Sequence, residues 1–191
     1  MRILRVGDHK RMPWKNGKGE TVEIAVFPPG AAINDFDWRI SMATVAEDGP
    51  FSIFPGIDRT LAILDGNGMV LDVAGSLPVL LTTASEPLAF PADIAVAARL
   101  QDGAITDLNV MTRRVGLAHT LIRIDVDGSK TVPLPPSTCL FLCHRGTLSF
   151  RRDGKNGALA AGDALLIEDA AATVLEIDGE AKSYLASVTT G

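Results

Sequence analysis

Histidine, cysteine and tyrosine, the residues on which much site chemistry is built, are scarce in this chain. Its 191 residues include three histidines, two cysteines, two tryptophans and one tyrosine. His9, His119 and His144 stand far apart, and no His-x-His pair gathers imidazoles on one strand face. No metal and no other cofactor is therefore expected, and His144 reads as a turn or surface residue. Cys139 and Cys143 lie four apart in an apolar run. On a strand they would face the same side about 13 Å apart, at ~3.3 Å per residue, too far for a mutual disulfide. Buried packing is their expected role, and a reducing, cytoplasmic compartment is the simplest fit. No window reaches about 18 uninterrupted apolar residues, so no transmembrane helix is expected. The opening MRILRVGDHKRMPW lacks the apolar run of a signal peptide. Positive charge is also in deficit, with 18 Lys and Arg against 23 Asp and Glu, which argues against nucleic acid as a partner. P-loop spacing, G-x-S-x-G and a Cys/His nucleophile signature are all absent.

What the chain does have is strand periodicity. It is 47% hydrophobic and 21% charged, enough for a substantial core in one domain or two small ones. Apolar alternation marks strands over 21–27, 38–45, 60–64, 69–73, 79–83, 88–90 and 94–99. Further strands are expected over 107–114, 119–125, 139–143, 147–151, 164–167, 173–177 and 184–188, with turn residues between them. Short Ala-rich segments are broken by Asp or Gly, and no amphipathic helix of useful length is predicted. The fold class is all-β, of sandwich or barrel type.

The most informative stretch runs from Phe36 to Gly68. Over residues 38–45, Trp38, Ile40 and Met42 fall on one face, with Arg39 and Ser41 on the other. Arg59 opens a second apolar run, which ends in the hairpin signal Asp65-Gly66-Asn67-Gly68. Two cations delivered by neighbouring strands point to an anion site. Over 107–114, Asp107, Asn109, Met111 and Arg113 share one face. That face is either the solvent side of a half-buried strand or a pocket wall. Trp14-Lys15-Asn16-Gly17-Lys18-Gly19 forms a loop whose N–H groups could converge on an anion, or a tight turn anchored by a tryptophan.

Taken together, Arg39, Arg59 and Arg113 offer forked donors for a carboxylate. Asn16, Ser41 and Asn109 add neutral hydrogen bonds, Trp14 and Met111 apolar walls, and Asp107 a carboxylate. In a small barrel mouth such a set suits a small organic acid. Three alternatives stay open at this point. In the first, the arginines serve only as braces for Asp48, Asp58 or Asp107. In the second, Asp107 or Glu23 is the base of a cofactor-free isomerase or hydrolase. In the third, the chain is an interaction protein without a ligand.

A faint repeat aligns Thr60–Gly68 with Thr138–Gly146, and Leu88–Ile94 with Leu159–Ala164. The second copy resembles the second half of a cupin barrel. Two such units, spanning 1–107 and 108–191 with strands shared between them, predict double-stranded β-helix barrels in one compact bicupin chain.

Five motifs carry a more specific resemblance: Met12–Gly17, Phe36–Ser41, Asp48–Phe51, Phe54–Arg59 and Asp107–Met111. In this order they resemble the HutD/Ves family, over roughly the first 114 residues. The resemblance implies a metal-less bicupin, of a family whose members often accompany histidine-utilisation enzymes or are described as stress-induced proteins. It further implies a regulatory role through binding a pathway intermediate such as N-formylglutamate or urocanate. The chain departs from the family pattern at Lys18, Glu20 and Val22. Cupin barrels often dimerise through sheet edges, so a homodimer is compatible with this reading, and no membrane partner is expected.

Overall fold

Alternating apolar residues punctuated by Gly and Pro give sixteen strands among the described residues of the computed structural model, which are 1–15, 17, 19–168 and 171–191. In chain order they are β1 (Arg2–Leu4), β2 (Lys10–Pro13), β3 (Gly19–Phe27), β4 (Trp38–Val45), β5 (Gly49–Pro50) and β6 (Ile57–Asp65). There follow β7 (Met69–Val73), β8 (Val79–Leu81), β9 (Leu88–Pro91), β10 (Val96–Leu100) and β11 (Ile105–Arg113). The last five are β12 (Leu117–Leu134), β13 (Thr138–Arg152), β14 (Lys155–Ala160), β15 (Ala164–Ile167) and β16 (Thr173–Thr190). One 3-10 turn, Val6–Asp8, is the only helical element among the described residues.

Contacts divide the chain into Lys10–Ala118 and a second unit made of Met1–His9 with His119–Gly191. The division differs from the repeat boundary at 107/108 because β11 runs unbroken through that point, paired with β4 on one side and β6 on the other.

In the 10–118 unit, a six-stranded sheet has the order β2-β3-β4-β11-β6-β9, and a four-stranded sheet has the order β5-β10-β7-β8. Val45, Leu61, Ile63 and Ile105 from the first pack with Met69, Leu71, Val73 and Val96 from the second. The two sheets thus share one apolar core. The hairpin expected at Asp65–Gly68 does not form. Strand β6 pairs with β11 along its length and with β9 over Asp58–Leu61, while β7 pairs with β10 and β8 in the other sheet. The turn carries the chain from one sheet to the other.

In the second unit, β1-β15-β13-β16-β12 form one sheet, with β14 also paired to β13. Phe141, Leu148, Phe150, Leu165, Leu175 and Leu185 fill its core together with Cys139 and Cys143, which are free and wholly buried. Two pairs of predicted short strands turn out to be single long ones. Residues 139–151 form β13, which bends through an irregularity at Cys143/Arg145, and residues 173–188 form β16.

Candidate functional site

The six-stranded sheet stacks its polar residues in rows. Residues paired across neighbouring strands point to the same side of a sheet. One row runs Val26, Arg39, Met111, Arg59, Phe90 across β3, β4, β11, β6 and β9. The next row is Glu23, Ser41, Asn109, Leu61, and the one after it Thr21, Ala43, Asp107, Ile63. A bulge between Glu23 and Ala25 restores Val26 to this face despite the odd spacing. The polar alternation of β11 is therefore a wall, not a solvent side: residues 107–112 are buried on both faces.

Above these rows opens a cleft of ≈ 610 Å³, within the size range of small-molecule sites. Trp14, Arg39, Ser41, Arg59, Asp107 and Asn109 line it. Met111 lies beneath, 1% exposed, with its Sδ 3.5 Å from Arg59 Nη2. Arg113 does not line the cleft: its Nε lies 3.4 Å from Asp37 and its Nη2 donates to the Phe36 carbonyl at 3.0 Å, bracing the turn before β4. Asn16 lies outside the described residues.

Some lining residues carried little sequence signal. Phe51 and Phe54 receive the Arg59 guanidinium over their rings, at 5.2 and 5.5 Å from the centroids. They lie within the Gly-Pro-Phe and Phe-Pro-Gly segments, where they read as turn neighbours. Glu23, a candidate base from the sequence, does not line the cleft: it accepts from Arg39 Nε at 2.7 Å, and both side chains are largely buried. Trp14 Nε1 donates to Thr21 Oγ1 at 2.8 Å, which orients the indole.

Arg59 and Asp107 are the cleft's buried charges, beside the paired Arg39 and Glu23. Burial pulls Arg59 down to about 10, Asp107 opposes that shift, and Arg39 adds to it. Burial pushes Asp107 up to about 6, against the pull of Arg59, of Asn109 and of the Ala43 backbone. Arg59 Nε and Asn109 Oδ1 are buried with no hydrogen-bond partner. Such groups are costly unless something meets them.

The donor set does not fit a metal. Two guanidinium groups face the cleft, and among the described residues no group of three or more His, Cys, Asp or Glu side chains could hold an ion. A larger open groove, of ≈ 790 Å³, lies in the other unit. Its charged side chains are already engaged, Arg151 by Glu176 at 2.8 Å, Asp178 by the Ser129 hydroxyl and Lys130 by the Asp125 carbonyl at 3.1 Å, so it offers less to a ligand than the cleft.

The HutD family model matches residues 6–185. The chain belongs to the HutD family. Protein Ves from Citrobacter koseri is 42% identical over 111 residues, 56% of each chain. The chain thus spans about half the length of that curated relative. Among solved structures, HutD from Pseudomonas fluorescens SBW25 is 30% identical with TM-score 0.83, covering 100% of this chain and 98% of its own. Protein PA5104 from Pseudomonas aeruginosa PAO1, described as of unknown function, is 34% identical with TM-score 0.90, over 99% and 98%. A cupin 2 conserved barrel domain protein from Leptotrichia buccalis is 12% identical with TM-score 0.55, over 95% and 96%, and shares the fold alone. The all-β fold of this HutD-family chain is thus of the cupin kind.

Proposed function

We propose that this HutD-family protein binds a small carboxylate in the cleft of its 10–118 unit and acts as a metal-independent regulator of histidine utilisation. N-formylglutamate and urocanate are the first ligands to test. The observation that carries the reading is Arg59: a buried guanidinium, stacked on Phe51 and Phe54, with its Nε donor unused. A carboxylate supplies the acceptor that this donor lacks. Arg39 is already engaged by Glu23 and contributes shape and field more than a free charge. The regulatory role draws its support from membership of the family.

A thermal-shift screen against N-formylglutamate, glutamate, urocanate and histidine, repeated with Arg59→Ala, tests the reading. A ligand at about 100 times its Kd adds about 2.7 kcal/mol, or roughly 5–11 °C for a chain of this size. The expected outcome is a shift with at least one acid that disappears in Arg59→Ala. No shift with any of the four overturns it.

One observation favours a second reading. Asp107, buried and raised to about 6, has the affinity for a proton that suits a general base. Turnover of an added acid, followed by NMR and abolished in Asp107→Asn, would favour an isomerase or hydrolase over a sensor.

A further inference from the structure

The cleft's two unpartnered atoms have opposite hydrogen-bonding sense. Arg59 Nε is a donor without an acceptor, and Asn109 Oδ1 an acceptor without a donor. Both side chains line the cleft and are more than nine-tenths buried, at 9% and 6% exposure. A carboxylate answers the first atom and leaves the second unmet.

The orientation of the Asn109 amide is set from behind. Its Nδ2 donates to Asp107 Oδ1 at 2.7 Å, and Asp107 is 1% exposed on the same strand face. An ionised carboxylate only accepts hydrogen bonds, so the amide must turn an N–H toward Asp107 and its oxygen elsewhere. Arg59 sits on β6 opposite Met111, two residues along β11 from Asn109. The two are diagonal neighbours, about 7–8 Å apart at the backbone, a span that one multi-atom ligand can bridge.

We propose that the ligand of this cleft carries an N–H group beside its carboxylate, and that Asn109 Oδ1, held in place by Asp107, is the acceptor that selects it. The inference rests on the small-carboxylate reading above and narrows it to a chemical class. Acylamino acids, amino acids and imidazole acids belong to that class, and plain carboxylic acids do not.

The test is isothermal titration of the intact chain at pH 7.5 with two matched pairs of probes. Urocanate is set against 3-(3-furyl)acrylate, whose ring has the same outline and no N–H. N-formylglutamate is set against N-formyl-N-methylglutamate, in which a methyl group replaces the hydrogen. In at least one pair the N–H compound should bind roughly tenfold more tightly, as expected when a buried acceptor is met in one complex and left bare in the other. In Asn109→Leu that ratio should collapse toward one. Equal binding of both members in the wild-type chain, lost in Arg59→Ala, overturns the inference and leaves the carboxylate site standing. No binding of any of the four compounds overturns the carboxylate reading and the inference with it. The wild-type comparison needs no variant, so poor folding of Asn109→Leu does not remove the test.

Discussion

Asp107 shows how one buried residue ties the site to stability. An aspartate ordinarily titrates near 3.8, and burial holds this one at about 6 despite the neighbouring Arg59. The folded chain therefore keeps a proton that the unfolded chain has lost between about pH 4 and 6. Because the folded state binds more protons there, stability falls as pH rises through this window and is level above it. At 1.36 kcal/mol per pKa unit, the contribution reaches about 3 kcal/mol. Asp107→Asn cannot titrate, so the wild-type stability minus that of the variant should drop from pH 4 to about pH 6 and then flatten. Urea unfolding midpoints of both chains across pH 4–8 measure it. A flat difference would mean that the carboxyl keeps its ordinary affinity and is less shielded than its burial implies.

At the scale of elements, the long strands of the 119–191 segment depend on local departures from regular pairing. Gly146 sits inside β13 at φ +83°, and a Cβ there would lie 2.1 Å from the Glu180 carbonyl oxygen of β16. Gly128 in β12 has a similar φ of +76°, but a Cβ would meet nothing within 4 Å. Gly128→Ala should therefore lose only the left-handed strain, about 1–2 kcal/mol. Gly146→Ala should lose clearly more, about 3 kcal/mol or above, since backbone must move as well. Denaturant midpoints of the two variants separate strain from collision, and equal losses would remove the collision argument. These glycines also explain what was legible in the sequence. Strand positions and the all-β class followed from alternation, as did the shared face of Asp107, Asn109 and Met111. Glycine reads as a strand end, which splits β13 and β16 each in two, and the Gly66/Gly68 turn reads as a hairpin although β7 finds its partners, β10 and β8, in the other sheet. The site was legible where it lay on strands, as for Arg39, Ser41, Arg59 and Asn109. It was illegible where partners came from turns, because no periodicity says that Phe51 and Phe54 fold back onto Arg59, or that Arg113 reaches Phe36 and Asp37.

At the scale of the whole molecule, the unit that follows residue 118 is completed by the first nine residues of the chain. Strand β1 pairs with β15, and the tie beside it is Asp163. This carboxylate, 3% exposed, accepts from Val6 N at 3.0 Å, Ala160 N at 3.1 Å and Arg5 Nη1 at 2.6 Å. Burial alone would raise its pKa, but the Val6 and Ala160 backbone donors and Arg5 together hold it below the usual range. Its contribution is therefore present above the ordinary carboxylate pKa and is lost as pH falls through the lowered one. Asp163→Ala strips two backbone N–H groups and a guanidinium of their acceptor and should cost about 2–3 kcal/mol at neutral pH. The chain carries its own reporters for locating that loss. Cys139 and Cys143, both wholly buried, lie in the unit that Asp163 closes, while Trp14 and Trp38 lie in the 10–118 unit. Thiol labelling along a urea series should show the cysteines of Asp163→Ala exposed at a lower midpoint than in the wild-type chain. An unchanged midpoint would mean that the N-terminal strand is held by its β15 ladder alone. Tryptophan fluorescence along the same series then reports how far the loss spreads. A tryptophan midpoint that falls in step with the thiols means that the chain unfolds as one cooperative body. One that stays in place means that the ligand cleft keeps its fold while the other unit opens.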